Sequence, residues 1–184
     1  MNAAEAAAAV LEAVPEGLFV ASLGTATSAL RRASGDGPHL YLGGSMGSAL
    51  AAAIGVADTR PERGVVALVG DGEVLMRAGV LWSVAGIRPQ NLLVAVLENG
   101  SYGITGGQRL AVPTAFAEVS AALGLAAASA GSPVEAAERA RSLARPGVLV
   151  LSVDDPEWPG PSPFVDPPVV RWRFESAATA VAGG

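Results

Sequence analysis

Asp71 stands between Gly70 and Gly72 directly after the apolar run GVVALV, and Asn99, 28 residues further on, closes the next such run, NLLVAVLE. If both runs are neighbouring strands of one sheet, a carboxylate and an amide oxygen emerge at the same sheet edge on adjacent loops. With a nearby backbone carbonyl they form an incomplete set of hard oxygen ligands. Such a set suits Mg²⁺, which wants about six oxygens at roughly 2.1 Å and takes the remainder from phosphates and water. The flanking glycines let the backbone approach a diphosphate closely, and a helix beginning near Glu73 would aim free amide groups at it. Taken singly, Gly70-Asp71-Gly72 and Asn99-Gly100 are ordinary turn sequences. Their placement after two successive strands is what turns them into a candidate site.

Composition narrows the chemistry. The 184 residues include 12 basic side chains, all arginine, against 17 acidic ones, with no cysteine and a formal net charge of −5. Without lysine the chain cannot form a Schiff base or supply the lysine of a phosphate-binding P-loop. Without cysteine it has no disulfide, thiolate metal site or thiol nucleophile. A bound anionic cofactor must therefore be neutralised by a metal and by amide dipoles. The acidic balance and scattered arginines argue against a nucleic-acid surface. Glu5 and Glu12 interrupt the alanine-rich start where a secretory leader needs a positive end and an unbroken apolar stretch, so a cytoplasmic location is expected. The uncharged run 37–57 approaches the roughly 20 residues of a membrane span, but its Pro38, glycines and serines read as strand, turn and buried helix.

The elements that would position these residues alternate regularly along the chain. Helix is expected over 2–13, strand over 18–22, then a Gly24-Thr25 turn opening a helix that ends near Arg31 and Arg32, whose charges suit a helix C-terminus. A strand over 39–42, the turn GGSMG at 43–47 and a helix to about Asp58 follow. Strand 64–70, one helix over 73–84 and strand 91–99 come next. Pro113-Thr114 opens a helix, 134–144 is another, and 147–153 is a last core strand. The strands are continuous apolar runs, as expected for a sheet covered on both faces. The fold class is therefore α/β: a doubly wound, mostly parallel sheet with helices on both faces, in a single domain over residues 1–155. Residues 156–184 form a C-terminal extension: six prolines lie between Pro156 and Pro168, VVRWRF at 169–174 is a possible edge strand, and the end from Ala177 is expected to fray.

GGSMGSALAAAIGVA, VALVGDGEVLM and NLLVAVLENGSYGITGGQ, in that order, resemble the diphosphate-binding domain of thiamine diphosphate-dependent 2-oxo acid decarboxylases, and within them the sulfopyruvate and phosphonopyruvate decarboxylases. The likeness covers about residues 15–155. It implies that Asp71 and Asn99 ligate Mg²⁺ through their side chains and Ser101 through its backbone carbonyl. Gly72 and Glu73 meet the diphosphate through backbone amides, Ile104 lies close to it, and Gly70, Tyr102 and Gly103 count among the cofactor-binding residues. Gly44, beside Ser45, accepts a hydrogen bond from the cofactor's amino group, and Met46 is the apolar wedge under the bent cofactor. That bend makes deprotonation of the thiazolium a positioned intramolecular step. Gly24 and Thr25 sit at the end of the first strand, where a hydroxyl could contact phosphate; Thr27 and Ser28 compete for that role, and Thr25 could instead cap its helix. Met46, Tyr102, Thr105 and Gln108 are the candidate catalytic or substrate-facing residues.

In this superfamily a second domain supplies a glutamate that activates the aminopyrimidine ring. Glu12, Glu16 and Glu118 read as solvated surface, and no second domain of comparable size is expected within 184 residues. The resemblance thus implies half an active site: a β-type subunit completed by a separate pyrimidine-binding α-type subunit in a hetero-oligomer such as α2β2, acting on a small 2-oxo acid. A carboligase of the same cofactor class and a non-catalytic cofactor-binding subunit are the alternatives. A dinucleotide site lacks its Gly-x-Gly-x-x-Gly after the first strand. Two departures bear on the substrate. Glu73 stands where serine is common, so its side chain is expected to point away from the phosphates. Arg109 to Val112 intervene before Pro113, and Arg109 is either a binder of an acidic substrate group or a surface charge. Sulfonate, phosphonate and carboxylate substrates all stay open. His39 reads as a structural or exposed imidazole.

Overall fold

At the start of the chain, Asn2 accepts the Glu5 N–H and Glu5 returns a bond to the Asn2 N–H, a reciprocal cap that begins helix α1 (Ala3–Ala13). In the computed structural model, which describes residues 1–154 and 166–180, there follow β1 (Leu18–Ala21), α2 (Thr25–Ser34), β2 (Leu40–Tyr41), α3 (Ala49–Thr59), β3 (Val65–Gly70), α4 (Asp71–Met76), α5 (Val80–Ile87) and β4 (Leu92–Glu98). A small antiparallel hairpin of β5 (Ser101–Tyr102) and β6 (Gln108–Arg109) leads on to α6 (Phe116–Ala122), β7 (Ala126–Ala130), α7 (Pro133–Ser142), β8 (Gly147–Ser152) and α8 (Pro167–Thr179).

Six strands form one sheet in the order β2-β1-β3-β4-β8-β7, parallel at every pairing. Alternate residues of each strand point to opposite faces. Phe19, Val66, Leu68, Leu93, Leu149 and Leu151 pack under α1, α2 and α7. Leu18, Val20, Val65, Leu92, Val94, Val148 and Val150 pack under α3, α5, α6 and α8. Both faces being buried accounts for the unbroken apolar runs. None of the helices is long and apolar enough to cross a membrane among the described residues.

Three expectations are corrected, and one strand without a sequence expectation is added. The single helix over 73–84 is two: α4 starts at Asp71 and stops at Met76, and α5 restarts after Gly79 to bury Leu81 and Val84 against the sheet. Residues 126–130 form a strand that the sequence pattern does not announce. AAASA has the composition of a helix former, and pairing with β8 overrides it. VVRWRF at 169–174 is not an edge strand; it lies within α8, which the paired prolines Pro167 and Pro168 start and in which Val170 and Phe174, one turn apart, are buried. Nor does fraying begin at Ala177, since α8 runs on to Thr179; residues 181–184 lie outside the described residues. The carbonyls of Ala177 and Ala178 accept from the guanidinium groups of Arg63 and Arg60. Of the proline-rich stretch, residues 155–165 lie outside the described residues.

Candidate functional site

The strand order turns at β1, whose following element α2 leads outward to β2, while the next crossover, α3, returns to place β3 on the other side of β1. Ligands of open α/β sheets bind in the crevice that such a reversal leaves at the carboxyl ends of the strands. Here that crevice is a cleft of about 130 Å³. Ser22 to Ala26 at the end of β1, Gly70 to Glu73 at the end of β3, Leu97 and Asn99 at the end of β4, the loop residue Met46 and the hairpin residues Ser101 to Thr105 surround it.

Asp71 is 2% exposed. Its Oδ1 accepts from the Gly72 N–H at 2.6 Å, and its Oδ2 accepts from the N–H groups of Asn99 at 3.0 Å and Gly100 at 2.7 Å. Burial pushes this carboxyl above the usual carboxylate range, and the three backbone donors pull it back. The carboxylate thereby ties the β3 loop to the β4 loop. Asn99 Oδ1 accepts from the Ser101 N–H at 3.0 Å, which turns the chain into the hairpin. Asp71 Oδ2 thus has both lone pairs taken, whereas Asp71 Oδ1, accepting one bond, keeps a second for a cation.

Two glycines are required by the hairpin packing on them. A Cβ at Gly72 would lie 2.4 Å from Tyr102 Cε1, and one at Gly24, whose φ is +71°, would lie 2.5 Å from Ile104 Cδ1. The hairpin is held at its tip by Gln108, whose Oε1 accepts from the Thr105 hydroxyl at 2.8 Å and whose Nε2 donates to the Thr105 carbonyl at 2.7 Å.

Of the residues singled out from sequence, Thr25, Met46, Gly70, Asp71, Gly72, Glu73, Asn99, Ser101, Tyr102, Gly103, Ile104 and Thr105 line the one cleft. Gly24 lies beneath Ile104 at its border. Gly44 and Ser45 are exposed on the preceding loop, and Gln108 faces solvent on β6. Among the competing hydroxyls, Thr25 faces the cleft, Thr27 is spent on the Ser22 carbonyl at 2.5 Å, and Ser28 Oγ is buried without a hydrogen-bond partner. Gly24, not Thr25, is the helix cap. Ser22, Leu23, Ala26 and Leu97 also line the cleft; of these only Ser22, a polar residue closing an apolar strand, carried a signal in the sequence. Glu12, Glu16 and Glu118 are exposed, as expected.

Glu73 is 5% exposed. Its carboxylate does not turn out to solvent. It accepts from the Ala49 N–H at 3.1 Å, with the Gly47 N–H and the Ser22 hydroxyl also against it. Burial raises its ordinary value as well. His39 lies outside the cleft lining, buried edge-on between the rings of Phe19 and Tyr41, where desolvation lowers its pKa to about 4. Arg109 is an exposed side chain on β6.

The donor set fits a diphosphate carried on a divalent cation. One carboxylate and one amide oxygen meet at the cleft mouth beside backbone close-approach positions, and among the described residues no group of three or more His, Cys, Asp or Glu forms an all-protein metal cage. Mg²⁺ sites typically take their remaining ligands from phosphate and water.

A family model for thiamine pyrophosphate enzymes, C-terminal TPP binding domain, matches residues 22–157. The phosphonopyruvate decarboxylase of Streptomyces hygroscopicus is 35% identical over 176 residues, covering 91% of this chain and 43% of that protein. The sulfopyruvate decarboxylase subunit beta of Methanothermobacter thermautotrophicus is 38% identical over 91 residues, 50% of this chain and 49% of that subunit. A solved thiamin diphosphate-dependent enzyme from Mycobacterium smegmatis superposes with a TM-score of 0.69 at 23% identity, over 83% of this chain and 32% of that one, a likeness of fold. The chain thus spans less than half the length of each of these proteins that it matches.

Proposed function

The chain belongs to the thiamine pyrophosphate enzymes, through their C-terminal TPP-binding domain, and on that premise we propose that it holds the diphosphate end of thiamine diphosphate in a two-subunit 2-oxo acid decarboxylase. The observation that carries this reading is the joint mouth formed by Asp71 and Asn99, fixed by backbone donors at the ends of adjacent parallel strands. Asp71 and Asn99 would hold Mg²⁺ through their side chains and Ser101 through its carbonyl. The Gly72 and Glu73 N–H groups would meet the phosphates. Met46, half-buried on the cleft wall, would support the cofactor's middle, and the Gly44 carbonyl its amino group. When bound, the cofactor supplies the nucleophilic carbon and the electron sink for loss of CO₂ from a 2-oxo acid.

The protein's own side chains then do the rest. Tyr102 and Ile104, seated on Gly72 and Gly24, would cover these two backbone positions beside the cofactor. Thr105, whose hydroxyl donates to Gln108, lines the cleft where a substrate would lie. The relatives named for phosphonopyruvate and sulfopyruvate favour a 2-oxo acid with a second anionic group. Arg109, paired across the hairpin with Ser101, would be the cation that meets it.

A cleft of about 130 Å³ falls below the roughly 300–1,000 Å³ that encloses a drug-sized ligand. This chain therefore forms one wall, and a pyrimidine-binding α-type subunit with the activating glutamate forms the other, in a hetero-oligomer such as α2β2. The relative named as a subunit beta supports that division. So do Met76 and Trp82, 63% and 55% exposed on α4 and α5. Met76 reaches the loop at Gly47, which makes this apolar surface continuous with the rim of the cleft.

Mixing tests the reading. This chain and an α-type sulfopyruvate decarboxylase subunit, expressed apart and combined, are expected to release CO₂ from sulfopyruvate or phosphonopyruvate only together, and only with thiamine diphosphate and Mg²⁺. Full turnover by this chain alone would refute the split. Absence of Mg²⁺-dependent cofactor binding by the mixture would refute the function.

A further inference from the structure

Asp71 and Glu73 are two residues apart on α4, so their side chains leave the helix roughly 200° apart. Asp71 reaches the β4 loop. Glu73 reaches the opposite way, into the start of α3 and the end of β1. The start of α3 needs it. Ser48 occupies the cap position but makes no side-chain cap bond, because its hydroxyl is paired with that of Ser45 at 2.8 Å. The first amides of a helix have no partner inside the helix, and a buried N–H without one is costly. The Glu73 carboxylate, 24 residues downstream in sequence, accepts the Ala49 N–H at 3.1 Å, and negative charge suits a helix start. The Gly47 N–H lies against the same carboxylate. Gly47 has φ +85°, a conformation that glycine adopts readily and residues with a Cβ rarely do.

We propose that Glu73 is a positioning residue: it anchors the loop 43–48 from below and so fixes Met46 in the cleft wall. This rests on the cofactor reading above for its purpose, and on the hydrogen bonds alone for its mechanics. The short helix α4 thereby holds both ends of the site from one rigid piece, the cation end through Asp71 and the Met46 end through Glu73. A serine at position 73 would be too short to bridge to Ala49.

Two measurements on Glu73→Ala and Glu73→Gln test this. Hydrogen exchange of the chain without cofactor should show the amides of Gly47 and Ala49 exchanging at least about tenfold faster in Glu73→Ala, with β3 and β4 unchanged, and close to the wild-type rate in Glu73→Gln, which keeps an acceptor oxygen. In the assembled enzyme with Mg²⁺, Glu73→Ala should weaken thiamine diphosphate at least about tenfold while leaving inorganic diphosphate within about twofold, since diphosphate touches only the Asp71 end; Glu73→Gln should restore most of the loss. Unchanged exchange at positions 47 and 49, faster exchange spread across the sheet, or equal loss of both ligands would overturn the assignment. A wild-type assembly that binds neither ligand would overturn the cofactor reading, and with it the role of Glu73 toward the cofactor, while the exchange result would still decide whether the carboxylate anchors the loop.

Discussion

Asp71 is asked to do two things at once, accepting three backbone hydrogen bonds and remaining available to a cation. Asp71→Asn keeps the shape but replaces an acceptor by a donor facing N–H groups. Mg²⁺-dependent binding of thiamine diphosphate is expected to fall at least about 100-fold by calorimetry, beyond the 10–100-fold typical of losing a residue that only supports a metal ligand. Urea unfolding should show a separate loss of about 1–3 kcal/mol from the unmatched donors. His39 makes a different prediction. In the unfolded chain its imidazole protonates below about 6.5, whereas in the fold it stays neutral down to about 4. The unfolded state therefore binds more protons between these values, so stability is full above 6.5 and declines as pH falls toward 4, by up to about 3 kcal/mol. Subtracting the urea stability of His39→Leu from that of wild type across pH 4–7 should recover this slope; a flat difference would contradict it. At this scale the motifs around Asp71 and Asn99 were legible because residue type and spacing carry them. The partner of Glu73 was not, since it is an amide 24 positions away that only the fold brings near.

Individual elements were legible in proportion to their burial on both faces. The core strands announce themselves as apolar runs, but β7 is alanine and serine and becomes a strand only because β8 offers it hydrogen bonds. Residues 169–174 show the converse. Their alternation would put Val170, Trp172 and Phe174 on one strand face, whereas the helix buries Val170 and Phe174 and leaves Trp172 68% exposed. The two readings separate by mutation. Phe174→Ala should cost about 3 kcal/mol, and Trp172→Ala should stay within about 0.5 kcal/mol, both by urea midpoints at unchanged slope. The break between α4 and α5 was hidden because Glu73 to Val84 contains no proline, and its one interior glycine, Gly79, is compatible with a continuous helix.

As a whole molecule, the chain is a doubly wound parallel sheet whose reversal at β1 sets where a ligand lies, and this much follows from the order of apolar runs and turns. The expectation of half an active site comes from the motif resemblance; the size of the cleft, about 130 Å³, is a property of packing that the sequence could not supply. Linkage gives the test at this scale. With the partner present, thiamine diphosphate and Mg²⁺ at about 100 times the dissociation constant should stabilise the chain by about 2.7 kcal/mol. Adding EDTA should abolish that gain in a thermal scan, and EDTA in the absence of cofactor should change nothing.

The seating of Tyr102 and Ile104 on Gly72 and Gly24 has a consequence for redesign. The hairpin behaves as a cartridge with two fixed pins, so a replacement loop meant to admit a different acid can vary at its solvent-facing tip, at Gly106 and Gly107, only while an aromatic and a branched aliphatic residue stay at the pins. Grafts that move a pin would leave the bare backbone patch beneath it uncovered, and selection for new specificity should keep returning variants in which each pin and its glycine change together or not at all.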